Sequence, residues 1–319
     1  MLPHMDKLHA EMDRLRAERN RICAAANLAP QTISGYAYDW RMFGEWCALM
    51  GLASLPATTD TVALYLTWLL SDGKKISTVR RRSAAIAHYH GDAGHSSPIN
   101  EDTRSLVTGA QRLRAEKPRQ MRPLSLAQLD AISSHLAGDG RARALRDRAL
   151  IVVGWASALR RSNIAALDLS DIEMVEEGIV VSIAREKQDQ QGRGRLIGIP
   201  RGAGLHTCPV KCLEDWIAVR GRAEGPLFPR LNPKHRGGPM DGNCVFRVVR
   251  RCVKLIGLDP NDRYGGHSLR AGFITAAGEA GVGELLIASQ SGHRNMQTLR
   301  KYFRRTELFR SNALATMGL

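Results

Sequence analysis

Apolar residues recur at helical spacing along most of the chain. Met5, Leu8, Met12, Leu15 and Ile22 step by three and four residues, interrupted by Arg19, and predict an amphipathic helix within residues 1–27. Tyr36, Trp40, Phe43 and Trp46-Cys47 recur on one face of the next helix. Val62, Tyr65, Leu66 and Leu69 form a third stripe, for which Thr59 or Asp60 can serve as the N-cap. Ser77 opens STVRRRSAAIAHYH, where Val79, Ile86 and Tyr89 face inward and Arg80, Arg81 and Arg82 cannot all do so. Thr103 to Leu113 is a further helix. No strand pattern intervenes, so residues 1–114 are expected to form an all-helical domain.

The stretch AEKPRQMRPLS breaks this pattern. Pro118 and Pro123 stop helices among charged residues, which predicts a linker over 115–124. Beyond it, Ser125 with Gln128 resembles a capping box for LAQLDAISSHL. Helices are expected around Ala149–Leu159 and Asn163–Leu167. GIVVSIA (178–184) and LIGI (196–199) look like two strands joined by a polar turn from Lys187 to Gly194. Pro209 suits a first helical turn. From there the chain reads as helical to its end, apart from Gly/Pro loops near 225–240 and 257–266. The predicted fold is mainly α in two domains, the second (125–319) mixed α/β, mostly helical with a small antiparallel sheet.

Composition narrows the function. A length of 319 residues suits about two domains at ~150 residues each. With 44% hydrophobic and 24% charged residues the chain can fill two cores, which excludes wholesale disorder. No apolar run approaches the ~18 residues of a membrane span, and the charged start is unlike a secretory signal. Six cysteines are too sparse for a disulfide framework. A cytoplasmic location is expected. Lys and Arg number 46 against 31 Asp and Glu, a formal charge of +15 with a pI near 10.1, which points to a polyanion partner, nucleic acid first.

Several chemistries can be set aside. His206, Cys208 and Cys212 lack a second Cys/His pair to complete a zinc site and read as helix-buried thiols. There is no GxxxxGK[ST] loop for a nucleotide phosphate, and GRGRLIG (192–198) lacks the glycines of a dinucleotide fingerprint. The acidic residues are scattered, without the cluster a two-metal nuclease wants. The C-terminal third is more specific. His267 and Arg270, three apart at a helix start, share a face. Ser291-Gly292-His293 is read as opening another helical turn, with Tyr302 nine residues past His293 in LRKYFRR. Upstream, Arg160 ends an apolar helix and Lys187 sits at the β-turn. Two Arg, two His, a Lys and a Tyr form a set that can handle a phosphodiester without metal. Guanidiniums clamp non-bridging oxygens, imidazoles move protons, and a phenol can be a covalent nucleophile.

In this order and spacing the six resemble the tyrosine recombinase (phage integrase) family, over most of the chain. The resemblance makes Arg160 the first catalytic arginine, Lys187 the β-hairpin lysine, His267 and Arg270 the His-x-x-Arg pair, His293 the second His/Trp position and Tyr302 the nucleophile. One departure is Asn163, where family members carry Glu or Asp three residues after the first arginine. The implied chemistry runs as follows. His267 helps the phenol attack, Arg160, Arg270 and a His293 donor stabilise the charge of the transition state, and Lys187 protonates the leaving 5′-oxygen. The 3′-phosphotyrosyl product conserves bond energy, so no cofactor, ATP or metal is expected. The implied architecture is a core-binding domain (1–114), a catalytic domain (125–319) and an oligomerisation helix (306–319) that docks in a neighbouring protomer.

The expected partner is double-stranded DNA carrying an inverted-repeat recombination site, bound by a homotetramer in the cytoplasm, associated with the nucleoid, with no membrane. Candidate DNA contacts are Lys74, Lys75, Ser77, Arg80, Arg81 and Arg82 at one helix entry, with Ser77 and Arg81 in the major groove. Asn243, Arg247 and Arg250, followed by Arg251 and Lys254, mark a second helix. Two other readings share this scaffold: a type IB topoisomerase or telomere resolvase, and a catalytically inactive DNA-binding regulator.

Overall fold

The computed structural model describes residues 30–115, 120–183 and 194–302, together with 11, 12, 14, 15 and 28. Most of the predicted 1–27 helix, Lys187 and the 306–319 segment lie outside the described residues. The chain divides into two units, Met1–Pro118 and Arg119–Leu319, and the division falls within the stretch 115–124. No helix among the described residues is long and apolar enough to cross a membrane.

The first unit contains α1 (Pro30–Met50), α2 (Thr59–Ser71), α3 (Ile76–Asp92) and α4 (Glu101–Arg114). Its core joins Phe43, Trp46 and Cys47 of α1 to Val62, Tyr65, Leu66 and Leu69 of α2 and to Val79 and Ile86 of α3. Each such side chain contributes roughly 1.5–3 kcal/mol by leaving water. Trp40 stacks on Tyr89 at 4.9 Å between ring centroids, which leaves Tyr89 half-buried. The N-cap of α2 is Thr58, not Thr59 or Asp60: its Oγ1 accepts from the Thr61 N–H at 3.1 Å. Asn100 caps α4 through a reciprocal pair with Thr103.

The arginines of α3 part company. Three successive helical positions span about 200° of the helix circumference, so they cannot share a face. Arg82 is the one that turns in. It is 8% exposed, its Nη1 donates to Tyr65 Oη at 2.7 Å, and its Nε stands 3.5 Å from Asp39 Oδ1. This corrects its place among the predicted DNA contacts: its guanidinium is occupied in the core.

The second unit contains α5 (Leu126–Ala137), α6 (Ala142–Ala156), α7 (Arg161–Ala166), β1 (Ile172–Met174), β2 (Gly178–Ile183), β3 (Arg195–Pro200), α8 (Pro209–Arg220), α9 (Gly242–Leu255), α10 (Gly266–Glu279) and α11 (Glu284–Ser291). Residues 296–302 are helical as well. The sheet is antiparallel in the order β1-β2-β3, with Ile179 opposite Ile199 and Val181 opposite Ile197. These four point to the core, and Leu196 and Ser182 point to solvent. The three-residue β1 had no sequence signal of its own. Gly178 is required in the hairpin, because a Cβ there would lie 2.1 Å from Ile199 O.

The centre of this unit is α6, whose Leu150, Ile151, Val152 and Val153 are all buried. A helix apolar all round is enclosed all round. It begins at Ala142 and stops at Ala156, earlier at both ends than its predicted span, and α7 runs Arg161–Ala166 where Asn163–Leu167 was expected. Ser125 and Gln128 do form the capping box of α5, and Pro209 does open α8. α10 lies close against the segment leading into α5. Leu124 N–H donates to Ser268 O at 3.0 Å, Trp155 Nε1 donates to Leu124 O at 2.9 Å, and a Cβ on Gly272 would meet that same oxygen at 2.0 Å.

Candidate active site

Four of the six predicted catalytic residues meet in one cleft of the second unit through side-chain contacts. His267 sits in the first turn of α10 and Arg270 one turn on, on the same side of the helix. Arg270 is 1% exposed and fixed by the backbone. Its Nη1 donates to Ala158 O at 2.9 Å and also to Ser291 O, and its Nη2 lies 3.1 Å from His293. Ala158 adopts φ +51°, a left-handed conformation that costs an alanine roughly 1–2 kcal/mol. That turn aims its carbonyl at Arg270 and leads, two residues later, to Arg160, the N-cap residue of α7.

His293 stands just past the end of α11. Here the structure corrects the sequence reading: Ser291-Gly292-His293 closes a helix instead of opening one, with Gly292 at φ +69° as the left-handed cap. Tyr302 is the last described residue of the helical stretch 296–302, which is pinned by buried Leu299 and by Arg300 Nε, 3.0 Å from Glu284 Oε1. Its Oη lies 2.7 Å from His267 Nε2, and its ring centroid is 5.9 Å from that of His293.

The electrostatics follow from burial among cations. Desolvation, aided by Arg270, Arg160 and Arg161, lowers the His267 pKa below its usual value, although the residue keeps an exposed edge. His293 is pushed down to about 3, first by burial and then by Arg270 and Arg160. Burial raises the Tyr302 pKa, while the same two arginines pull it back down. At neutral pH the cleft therefore holds a neutral phenol, two neutral imidazoles and two guanidiniums. A neutral imidazole hydrogen-bonded to a phenol can take its proton, and a fixed guanidinium beside them can receive an anionic oxygen.

The predicted DNA contacts are dispersed. Lys75 and Ser77 are exposed at the start of α3, and Lys74 pairs with Asp72 at 2.8 Å. Arg80 donates to Gln111. Arg81 is held by buried Asp39, with Nε at 2.6 Å from Oδ2 and Nη2 at 3.0 Å from Oδ1. On α9, Asn243 and Arg247 are exposed. Arg250 instead donates to Pro260 O at 3.1 Å and lies over the Phe246 ring, and Arg251 pairs with buried Asp147.

Two features escaped sequence reasoning. Arg143, Arg146, Arg230, Arg247 and Arg251 line one cavity of about 280 Å³, although they lie more than a hundred residues apart at the extremes. Arg195, the first residue of β3, donates to Ser289 O at 2.7 Å and Gln290 O at 2.8 Å, tying the hairpin to the end of α11.

A tyrosine, a neutral base, a buried guanidinium and a half-buried one within one mostly helical unit are the parts of the tyrosine-type class of DNA strand-transfer enzymes. Residues 123–308 match the phage integrase family, and the chain belongs to that family. It is similar to the integrase/recombinase xerD homolog of Selenomonas ruminantium, 32% identical over 91% of this chain and 86% of that one. Recombinase cre of Escherichia phage P1 is 24% identical over 83% of this chain and 81% of the phage protein. The fold matches that of the XerH site-specific recombinase, crystallised on its palindromic difH substrate, with a TM-score of 0.63 over 93% of this chain and 85% of that one, at 16% identity. The chain is thus a site-specific tyrosine recombinase, an enzyme that cleaves and rejoins DNA. The topoisomerase and inactive-regulator readings are not favoured by these relatives.

Proposed function

We propose that the enzyme recombines DNA at two sites flanked by inverted repeats, through a 3′-phosphotyrosyl intermediate on Tyr302. The observation that carries this reading is the 2.7 Å hydrogen bond between Tyr302 Oη and His267 Nε2 beside Arg270. Oη attacks the scissile phosphorus as its proton passes to His267. Arg160 and Arg270 neutralise the non-bridging oxygens. The phosphorus–O5′ bond breaks, and Lys187 supplies the proton the leaving oxygen needs. Attack by a 5′-hydroxyl from the second site reverses these steps and joins the strands without a cofactor.

In the same reading, residues 1–114 are the core-binding domain, 125–319 the catalytic domain, and 306–319 an oligomerisation helix that closes a tetramer on DNA. Lys74, Lys75, Ser77, Arg80 and Arg81, with Asn243 and Arg247, are the DNA contacts this reading keeps, because their side chains reach solvent and are basic or polar. The expected setting is the cytoplasm, on the nucleoid.

The test is a nicked DNA site from which the cleaved 5′ fragment escapes. Tyr302→Phe is expected to form no covalent adduct while binding DNA nearly as wild type does, since one hydroxyl adds little to a polyelectrolyte interface. A Phe variant that still forms the adduct would remove Tyr302 from the nucleophile's role.

A further inference from the structure

The end of α11 contains a group that the scheme above leaves unused. Ser291 is fully buried. Gly292 folds the chain back so that the His293 N–H reaches Ala288 O at 3.1 Å, which brings the imidazole against the serine hydroxyl. Ser291 Oγ lies 2.6 Å from Ile287 O and 2.7 Å from His293 Nδ1. A carbonyl has no proton to offer, so the hydroxyl must donate to Ile287 O, and its one proton is then committed. Were that proton turned to the ring, two acceptor oxygens would face each other at 2.6 Å inside the core, a costly contact. The short Oγ–Nδ1 contact is therefore a donation from the ring. Arg270 Nη2 stands 3.1 Å from both ring nitrogens, which places the guanidinium over the face of the ring and outside the plane of its lone pairs. With Nδ1 protonated, Nε2 is the nitrogen that can accept.

We propose that Ser291 fixes His293 in the Nδ1–H tautomer, which leaves Nε2 without a proton and sets the ring whose face supports Arg270. The relay runs from Nδ1–H to Oγ and from Oγ–H to Ile287 O, with Arg270 Nη2 over the ring they hold. The serine hydroxyl donates once and accepts once. Arg270 Nη1 is meanwhile held by Ala158 O and Ser291 O, so both ends of the guanidinium are set from outside α10. Neutrality of the ring, which an unprotonated Nε2 requires, agrees with its burial beside two arginines. Ser291 is thus a positioning residue that acts through His293. Its consequence for the rate rests on the reading of Arg270 as a phosphate-binding group; the tautomer itself does not.

The experiment reads the tautomer directly, on the full chain with 15N-labelled histidine and no DNA. Long-range 1H–15N spectra distinguish Nδ1–H from Nε2–H imidazole, and the His293 pattern is assigned by its absence in His293→Gln. Wild type and Ser291→Thr are expected to show the Nδ1–H pattern, and Ser291→Ala to lose it in favour of Nε2–H or a mixture. If Ser291→Ala does not fold, Ser291→Cys, a far weaker hydrogen-bonding group of similar size, is read in its place with the same expectation. A wild-type Nε2–H pattern, or a pattern unchanged without the hydroxyl, overturns the proposal. On the nicked site, Ser291→Ala should form adduct about tenfold more slowly at unchanged binding, the rate equivalent of one hydrogen bond, with Ser291→Thr near wild type. A Tyr302→Phe protein that still cleaves would instead refute the nucleophile while leaving the tautomer standing.

Discussion

Tyr302 and His267 share a hydrogen bond, and their surroundings set where its proton rests. The phenol is raised by burial and therefore protonated, while the imidazole is lowered by burial and by Arg270, Arg160 and Arg161, and therefore free to accept. As the proposed base, His267 works only when unprotonated, so activity is expected to rise with pH through its pKa. That pKa lies below the usual 6.5, which puts the midpoint of the acid limb of adduct formation below pH 6.5. His267→Asn should abolish that limb as well as slow the reaction; an acid limb centred above 6.5 would assign the proton to another group. The scheme proposed gives the guanidiniums and the lysine different duties, and a modified substrate separates them. Arg160→Ala and Arg270→Ala should slow cleavage by roughly 10²–10³ with any leaving group, as loss of a preorganised charge does. Lys187→Ala should be largely restored by a 5′-bridging phosphorothiolate, whose sulfur departs without protonation. If all three variants respond alike to the sulfur substrate, Lys187 is not the acid.

Within elements, side chains that look equivalent in sequence acquire opposite duties. Arg82→Ala empties a buried position, breaks the bond to Tyr65 and removes one cation from buried Asp39, and should cost the first unit about 3 kcal/mol in urea unfolding. Arg81, with a side chain 53% exposed, should cost no more than ~1 kcal/mol. On DNA the order reverses. Arg81→Ala is expected to relax base preference at one or two positions of a half-site by ~1–3 kcal/mol, whereas Lys74→Ala weakens all sequences alike. Equal losses on every sequence for both variants would make Arg81 a phosphate contact. The arginine run showed only that the three cannot all face inward, not that Arg82 does. The choice depends on Asp39, 42 residues upstream of Arg81, and on the Tyr65 hydroxyl. The His267–Arg270 pair was legible because three-residue spacing on a helix is a local rule. The Ser125 box and the β2–β3 hairpin were legible for the same reason. The end of α11 was not: Ser291-Gly292 reads equally as a start or a stop until the helix before it is seen to finish there. β1 is three residues held by pairing with β2, and no local pattern announces it.

At the scale of the whole chain, charge and assembly decide behaviour. A net +15 makes DNA affinity fall steeply with salt whatever the sequence, so synapsis has to be compared at a fixed ionic strength. Beyond Tyr302 the chain continues as FRRTELFRSNALATMGL, where Leu308, Phe309, Ala313, Leu314 and Met317 recur at helical steps. Leaving such a stripe in water forfeits roughly 1.5–3 kcal/mol per large side chain, so an amphipathic helix here needs a surface to cover it. Docking on its own catalytic domain would satisfy that need within one chain. Docking on the next protomer satisfies it only in an assembly, and a head-to-tail exchange between identical chains closes into a ring when the rotation permits, four members in the assembly proposed. Such a link would also place the segment that follows each nucleophile in a neighbour's hands, coupling the state of one active site to the next. Truncation after Thr306 discriminates the two. Under the exchanged arrangement the shortened protein stays folded and binds a single half-site, yet forms no four-subunit complex on paired full sites by gel shift and light scattering. A truncated protein that still assembles four subunits removes the exchange, and one that unfolds outright assigns the helix to its own domain.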